Sequence, residues 1–173
     1  MISKGSFLYY LIALSLFIFL KYGFTLANND DLAFLLKPTN YLISLITDSN
    51  ATYVSENGFI HHQLNIIIDR SCSGFNLWLI SYMMLTFLGL KYFKTNYQKI
   101  LVIPVALSIA YILTIIANTS RIFASIIIQN QATNFQFISS SILHESIGII
   151  TNLSFLILVY FLVNKFLYKM KPL

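Results

Sequence analysis

The sequence predicts an all-α integral membrane protein of a single domain over residues 1–173, with about four transmembrane helices, short outer interfacial segments and a small β-hairpin. Three observations carry that class. Hydrophobic residues fill 57% of positions and charged ones only 10%, whereas a soluble domain averages about 25% charged. Mean hydropathy is +0.74. The apolar residues also gather into four runs, near 7–27, 75–90, 100–128 and 144–163, and a hydrocarbon core about 30 Å thick needs roughly 20 helical residues. Such apolar content excludes a disordered chain. The single cysteine, Cys72, excludes a disulfide scaffold.

The first run is interrupted only by Lys21. It also fits a signal peptide with a loose cleavage site at Thr25-Leu26-Ala27. Its apolar stretch from Phe7 to Leu20 reaches the long end of the roughly 7–15 residues of a signal core, so an uncleaved anchor is expected. Residues 32–36 and 41–47 are apolar as well, but Lys37-Pro38 divides them. Proline biases its predecessor away from helix, which predicts two short half-segments at the outer interface rather than a fifth span. Residues 51–55 and 59–69 then flank Asn57-Gly58, a dipeptide favoured in hairpin turns. Ile66, Ile67 and Ile68 favour strand, so a small hairpin is expected to lead into Cys72. The second span starts after Cys72-Ser73-Gly74. The third stays apolar past Ala117 and continues through Arg121, and the fourth begins at His144.

Charge orients these spans. With a cytoplasmic N-terminus, the inner side holds Lys4, Lys91, Lys94, Lys99, Lys165, Lys169 and Lys171 and no acidic residue. Asp30, Asp31, Asp48, Glu56, Asp69 and Glu145 all fall outside or at the outer boundary. Lysine-rich loops stay cytoplasmic, so both termini are expected inside a cytoplasmic membrane that the chain crosses several times. A fifth span would put Lys91, Lys94 and Lys99 outside, against that rule. The net charge of +5 does not point to nucleic acid, because the basic residues punctuate apolar runs instead of forming a soluble face.

With that topology, Cys72, Arg121 and His144 come from three spans yet share the outer side. Cys72 could be a small apolar filler. However, Ser71-Cys72-Ser73-Gly74 opens a helix, where unpaired N–H groups and the positive dipole end favour a thiolate. Ser71 or Ser73 could cap that helix, and Asn76 would project from the same face one turn on. Arg121 is the one charge within 115–128, and a charge near lipid costs roughly 2.5–3.5 kcal/mol at a helix centre. Thr114, Asn118, Arg121 and Ser125 form a polar stripe at helical spacing. An arginine snorkelling to head groups accounts for Arg121 alone, less readily for the stripe.

His144 follows Ser139-Ser140-Ser141, which supply candidate N-caps, and shares its face with Gly148, Thr151 and Asn152. Neutral imidazole is the usual base for a cysteine nucleophile, although an interfacial histidine is commonly a head-group contact. Glu145 points about 100° away and suits the helix dipole better. His61 and His62 are neighbours on a strand and face opposite ways, so a solvated strand is expected there and no metal site is assigned. Asp69-Arg70 marks the water boundary or shapes the entrance to the site.

Cys72-Ser73-Gly74, then Asn118-Thr119-Ser120-Arg121-Ile122, then His144 resemble the exosortase/archaeosortase signature: a Cys-Ser-Gly box, an Asn-x-x-Arg-Ile box and a downstream histidine, in that order. The likeness covers about residues 69–163, and residues 38–45 are similar to the family's region after its early spans. The chain is shorter than many members and is closer to small, sparsely embellished ones of the exosortase K kind. The resemblance implies a membrane-embedded cysteine transpeptidase acting on proteins with a C-terminal sorting signal: a short motif, an apolar span and a basic tail. It implies Cys72 as nucleophile, Arg121 as transition-state stabiliser and His144 as general acid/base, supported by Ser73, Asn76 and Asn118. No metal or organic cofactor is expected, and the expected partners are membrane lipid and the signal-bearing proteins. Two other readings remain open. One is a non-catalytic export subunit whose Arg121 and His144 bind anionic head groups; the other is a family member that binds sorting signals without cutting them.

Overall fold

The computed structural model describes the backbone of residues 4–131 and 140–169 and the side chains of residues 7–128 and 146–169. In chain order the elements are α1 (Lys4–Leu26), α2 (Ala33–Thr47), β1 (Thr52–Val54), β2 (Gly58–His61), β3 (Ile66–Ile68), a 3-10 turn (Arg70–Cys72), α3 (Phe75–Tyr92), α4 (Asn96–Gln131) and α5 (Ser140–Lys169). Among the described residues, four stretches are long and apolar enough to cross a membrane: Phe7–Leu26, Arg70–Tyr92, Asn96–Ile128 and Ser146–Lys169. They coincide with the four expected runs. The chain divides into two compact units, one of residues 1–26, 75–114 and 156–173, the other of 27–74 and 115–155.

The first unit is helical and apolar, and α3 is its centre. This helix is hydrophobic around its whole circumference, the pattern of a helix surrounded by neighbours. Leu77, Leu79, Tyr82, Leu85, Leu88 and Leu90 are all buried. Along α3 lies α1, with Phe24 stacked on Phe75 at 4.6 Å, Tyr10 against Phe87, and Lys21 Nζ donating to Asn76 Oδ1 at 2.6 Å. The Trp78 indole donates to the Leu107 carbonyl at 3.1 Å, tying α3 to α4. Only 6% of the α1 span is buried, against 67% of the α3 span. Phe19 and Tyr22 are among the residues that α1 turns outward. An apolar exterior of that extent suits a lipid-facing helix and not a water-facing one.

The second unit holds α2, the sheet, the 3-10 turn and the adjoining halves of α4 and α5. Here the structure corrects the expectation of a chain broken at Pro38: α2 is one continuous helix with Pro38 inside it. An internal proline costs about 3 kcal/mol. Leu35, Leu36 and Ile43 are fully buried on one side of α2, and a buried aliphatic side chain contributes about 1.5–3 kcal/mol. Three of them outweigh the lost hydrogen bond. With 15 residues, about 22 Å at the α-helical rise, α2 is too short to span a bilayer.

The expected hairpin is present but extended to three antiparallel strands in the order β1-β2-β3, with Tyr53 opposite Phe59 and Ile60 opposite Ile67. The turn closes by Asn57 N–H donating to the Val54 carbonyl at 3.0 Å, and Gly58 follows at φ +85°. A Cβ at Gly58 would lie 2.4 Å from the Ile68 carbonyl oxygen, so the sheet requires glycine there twice over. His61 ends β2, and His62 lies in the turn that follows. His62 is exposed, but His61 is fully buried, contrary to the expected solvated strand.

Candidate functional site

Cys72 does not open α3. It ends the 3-10 turn, and α3 begins three residues later, after Gly74 at φ +71° has redirected the chain. The 3-10 turn is capped by Asp69. Its Oδ1 accepts from Ser71 N at 2.9 Å, Ser71 Oγ at 2.6 Å and Cys72 N at 3.3 Å, while Cys72 N also reaches the Asp69 carbonyl at 2.9 Å. The carboxylate thus fixes the backbone that carries the thiol. Ser71 Oγ lies 3.8 Å from Cys72 Sγ, but its single proton serves the closer Asp69 oxygen. Cys72 and Ser73 are both buried. Asn76 belongs to α3 in the first unit, where its side chain accepts from Lys21, so it does not share a helix face with Cys72.

Two asparagines from distant sequence hold the turn. Asn118, 1% exposed on α4, donates through Nδ2 to the Cys72 carbonyl. Asn29 accepts from Arg70 N–H at 2.8 Å through Oδ1, and its Nδ2 donates to the Ser55 and Glu56 carbonyls, each at 3.0 Å. Asn29 therefore clamps the β1–β2 turn to the cysteine turn. No local pattern announces this: a polar run Asn28-Asn29-Asp30-Asp31 reads only as loop.

Arg121 lies one turn beyond Asn118 on α4. It is half-buried, and its Nε is buried with no hydrogen-bond partner among the described residues. Gly148 on α5 lies against it: a Cβ there would sit 3.5 Å from Arg121 Cδ and 3.9 Å from Nη1. His144 precedes Gly148 by four residues, one helical turn along α5. The side chains of His144 and Glu145 and the caps expected at Ser139, Ser140 and Ser141 lie outside the described residues.

The structure therefore joins Cys72 to Asn118 directly, and Arg121 to Gly148 directly. In the same unit, Asn118 Oδ1, Thr119 Oγ1 and Asn152 Oδ1 are also buried without partners among the described residues. A buried polar atom left unpaired costs about 1–3 kcal/mol, so each of these four is a position where water or a ligand atom would be stabilising.

His61 forms a second polar array. Its Nδ1 pairs with Ser49 Oγ at 2.8 Å and its Nε2 with Asn40 Oδ1 at 2.8 Å. Both ring nitrogens of His61 are spent on these partners, and Ser49 and His61 are buried. Their role is to tie α2 to β2. Burial pushes the His61 imidazole below its ordinary pKa of 6.5. Among the described residues, no three His, Cys, Asp or Glu side chains gather where they could hold a metal. No protein-family model, curated protein or solved structure matches the chain.

Proposed function

We propose that the protein is a membrane-embedded cysteine transpeptidase or peptidase of the exosortase kind, processing proteins with a C-terminal sorting signal at the outer face of the cytoplasmic membrane. The observation that carries this reading is continuity between the three sequence boxes. Asn118 of the second box holds the backbone of Cys72 of the first, and Arg121 of the second rests on α5 one turn from His144. Composition does not require motifs 46 residues apart in sequence to touch.

In this reading the Cys72 thiolate attacks the scissile carbonyl, and the new C–S bond replaces the C–N bond. His144 gives its proton to the departing amine, then takes one from the acceptor, water or an amine, whose attack frees Cys72. Arg121, half-buried with its Nε unpartnered among the described residues, holds the oxyanion; such groups contribute on the order of 3–4 kcal/mol in other enzymes. The lysine distribution supports an outer site with both termini cytoplasmic.

The test is to express the chain with a reporter ending in a candidate signal and follow the reporter's size. Wild type shortens it, whereas Cys72→Ala and His144→Ala leave it full length and Arg121→Ala slows processing about a hundredfold or more. Unchanged processing by Cys72→Ala overturns the proposal. A membrane-impermeant thiol reagent that labels Cys72 only after lysis overturns the outer placement.

A further inference from the structure

A cavity of about 430 Å³ opens among Asn28, Asn29, Ser55, Glu56, Asp69 and Arg70. That size falls within the range of about 300–1,000 Å³ typical of specific ligand pockets. It lies entirely in the second unit, and two of its wall residues, Asp69 and Arg70, belong to or cap the turn that carries Cys72.

Its walls are tied together by hydrogen bonds. Asn29 spends both ends of its amide on the Arg70 N–H and the Ser55 and Glu56 carbonyls. Ser55 Oγ donates to Asp30, and Asn28 and Asp31 exchange backbone-to-side-chain bonds at 3.0 Å. What the walls leave for a ligand is acceptor capacity. The Glu56 carboxylate and the second oxygen of Asp69 make no hydrogen bond to another described residue. Around them, residues 28–73 carry five carboxylates against Lys37 and Arg70.

We propose that this cavity is a recognition subsite, taking the substrate segment next to the scissile bond and selecting a hydrogen-bond-donating side chain, amide or basic, in that segment. The inference rests on the catalytic reading above, and adds what the enzyme reads. A donor reaching Glu56, which stands exposed on the cavity wall, forms a charge-assisted bond, and that bond is the selective contact.

The test is photo-crosslinking in the Cys72→Ala background, which separates binding from cleavage. A photoreactive phenylalanine derivative replaces Asn28 or, separately, Asn57. The probes are membrane-anchored reporters with lysine-rich, asparagine-rich or glutamate-rich outer segments ahead of one apolar span and basic tail. The lysine and asparagine reporters are expected to crosslink about tenfold better than the glutamate reporter. Adding Glu56→Gln, a mild change at an exposed position, should lower the lysine reporter's yield several-fold. Equal yields, or a preference for glutamate, overturn the proposal. Processing that needs Cys72 together with a flat crosslink pattern removes the subsite alone. Processing that survives Cys72→Ala removes the catalytic reading and the subsite with it.

Discussion

The two units are stabilised by different means. In the first, α1 and α3 meet through rings and aliphatic side chains, and its few side-chain hydrogen bonds, such as Trp78 to Leu107 and Tyr92 to Asn164, decorate an apolar contact surface. In the second, irregular backbone is pinned by side chains: Asn29 on three peptide groups, Asp69 on the cysteine turn, Asn118 on Cys72, and Ser49–His61–Asn40 between α2 and β2. Apolar packing is tolerant, because hydrophobic side chains of similar volume replace one another at modest cost. A hydrogen-bonded turn is not. Its donors and acceptors must meet within a few tenths of an ångström, the precision that a nucleophile and its stabilisers require. The residues proposed as reactive stand in the unit built for position.

This contrast can be broken by substitutions that report on one unit at a time, with amide hydrogen exchange as the readout. The largest effect is expected in the apolar unit. Leu79→Ala, at a site 1% exposed, should cost about 2–5 kcal/mol and speed exchange in α1 and α3, leaving the sheet amides protected. Gly58→Ala comes next. Its positive φ and the clash with the Ile68 carbonyl should cost about 1–3 kcal/mol, read as faster exchange in β2 and β3 with α3 unchanged. Loss of protection throughout the chain in either variant would show one cooperative structure and dissolve the distinction.

A smaller effect depends on pH. His61 is buried neutral, so its folded pKa lies below its unfolded value of 6.5. Its contribution to stability is whole above about pH 6.5 and drains away as acidity rises, because the unfolded chain then binds a proton that the folded one refuses. Sheet protection should therefore fall on acidification, and His61→Gln should flatten that dependence. The smallest effect is expected at Gly148→Ala. Its methyl group would make ordinary contact with Arg121 Cδ at 3.5 Å, so stability should change by less than about 0.5 kcal/mol and processing persist. Gly148→Leu, by contrast, should displace the guanidinium and slow processing.

What the sequence disclosed follows the same division. Four apolar runs announce four helices because burial and lipid exposure both act on whole stretches, and the stretches survive a single Lys21 or Pro104. Asn57-Gly58 disclosed the hairpin, since a positive φ is a local demand. The continuity of α2 through Pro38 was hidden, because it depends on partners that bury Leu35, Leu36 and Ile43. The 3-10 turn that separates Cys72 from α3 was also hidden, because nothing in Ser71-Cys72-Ser73-Gly74 distinguishes it from the first turn of a helix. Asn29 lay beyond reach altogether, its partners being 26, 27 and 41 residues away. Asn118 and Arg121 stood out as candidates because a polar and a charged side chain interrupt an apolar run, and the structure joins Asn118 to the Cys72 carbonyl.

The proposed chemistry requires Cys72 to become covalently attached to the substrate. Intact-mass measurement of the membrane protein, quenched while processing a signal-bearing reporter, tests it. The expected result is a fraction of the chain carrying the upstream part of the reporter as a thioester on Cys72, released by hydroxylamine and absent from Cys72→Ala. Reporter shortened at full rate with Cys72 never modified would contradict it.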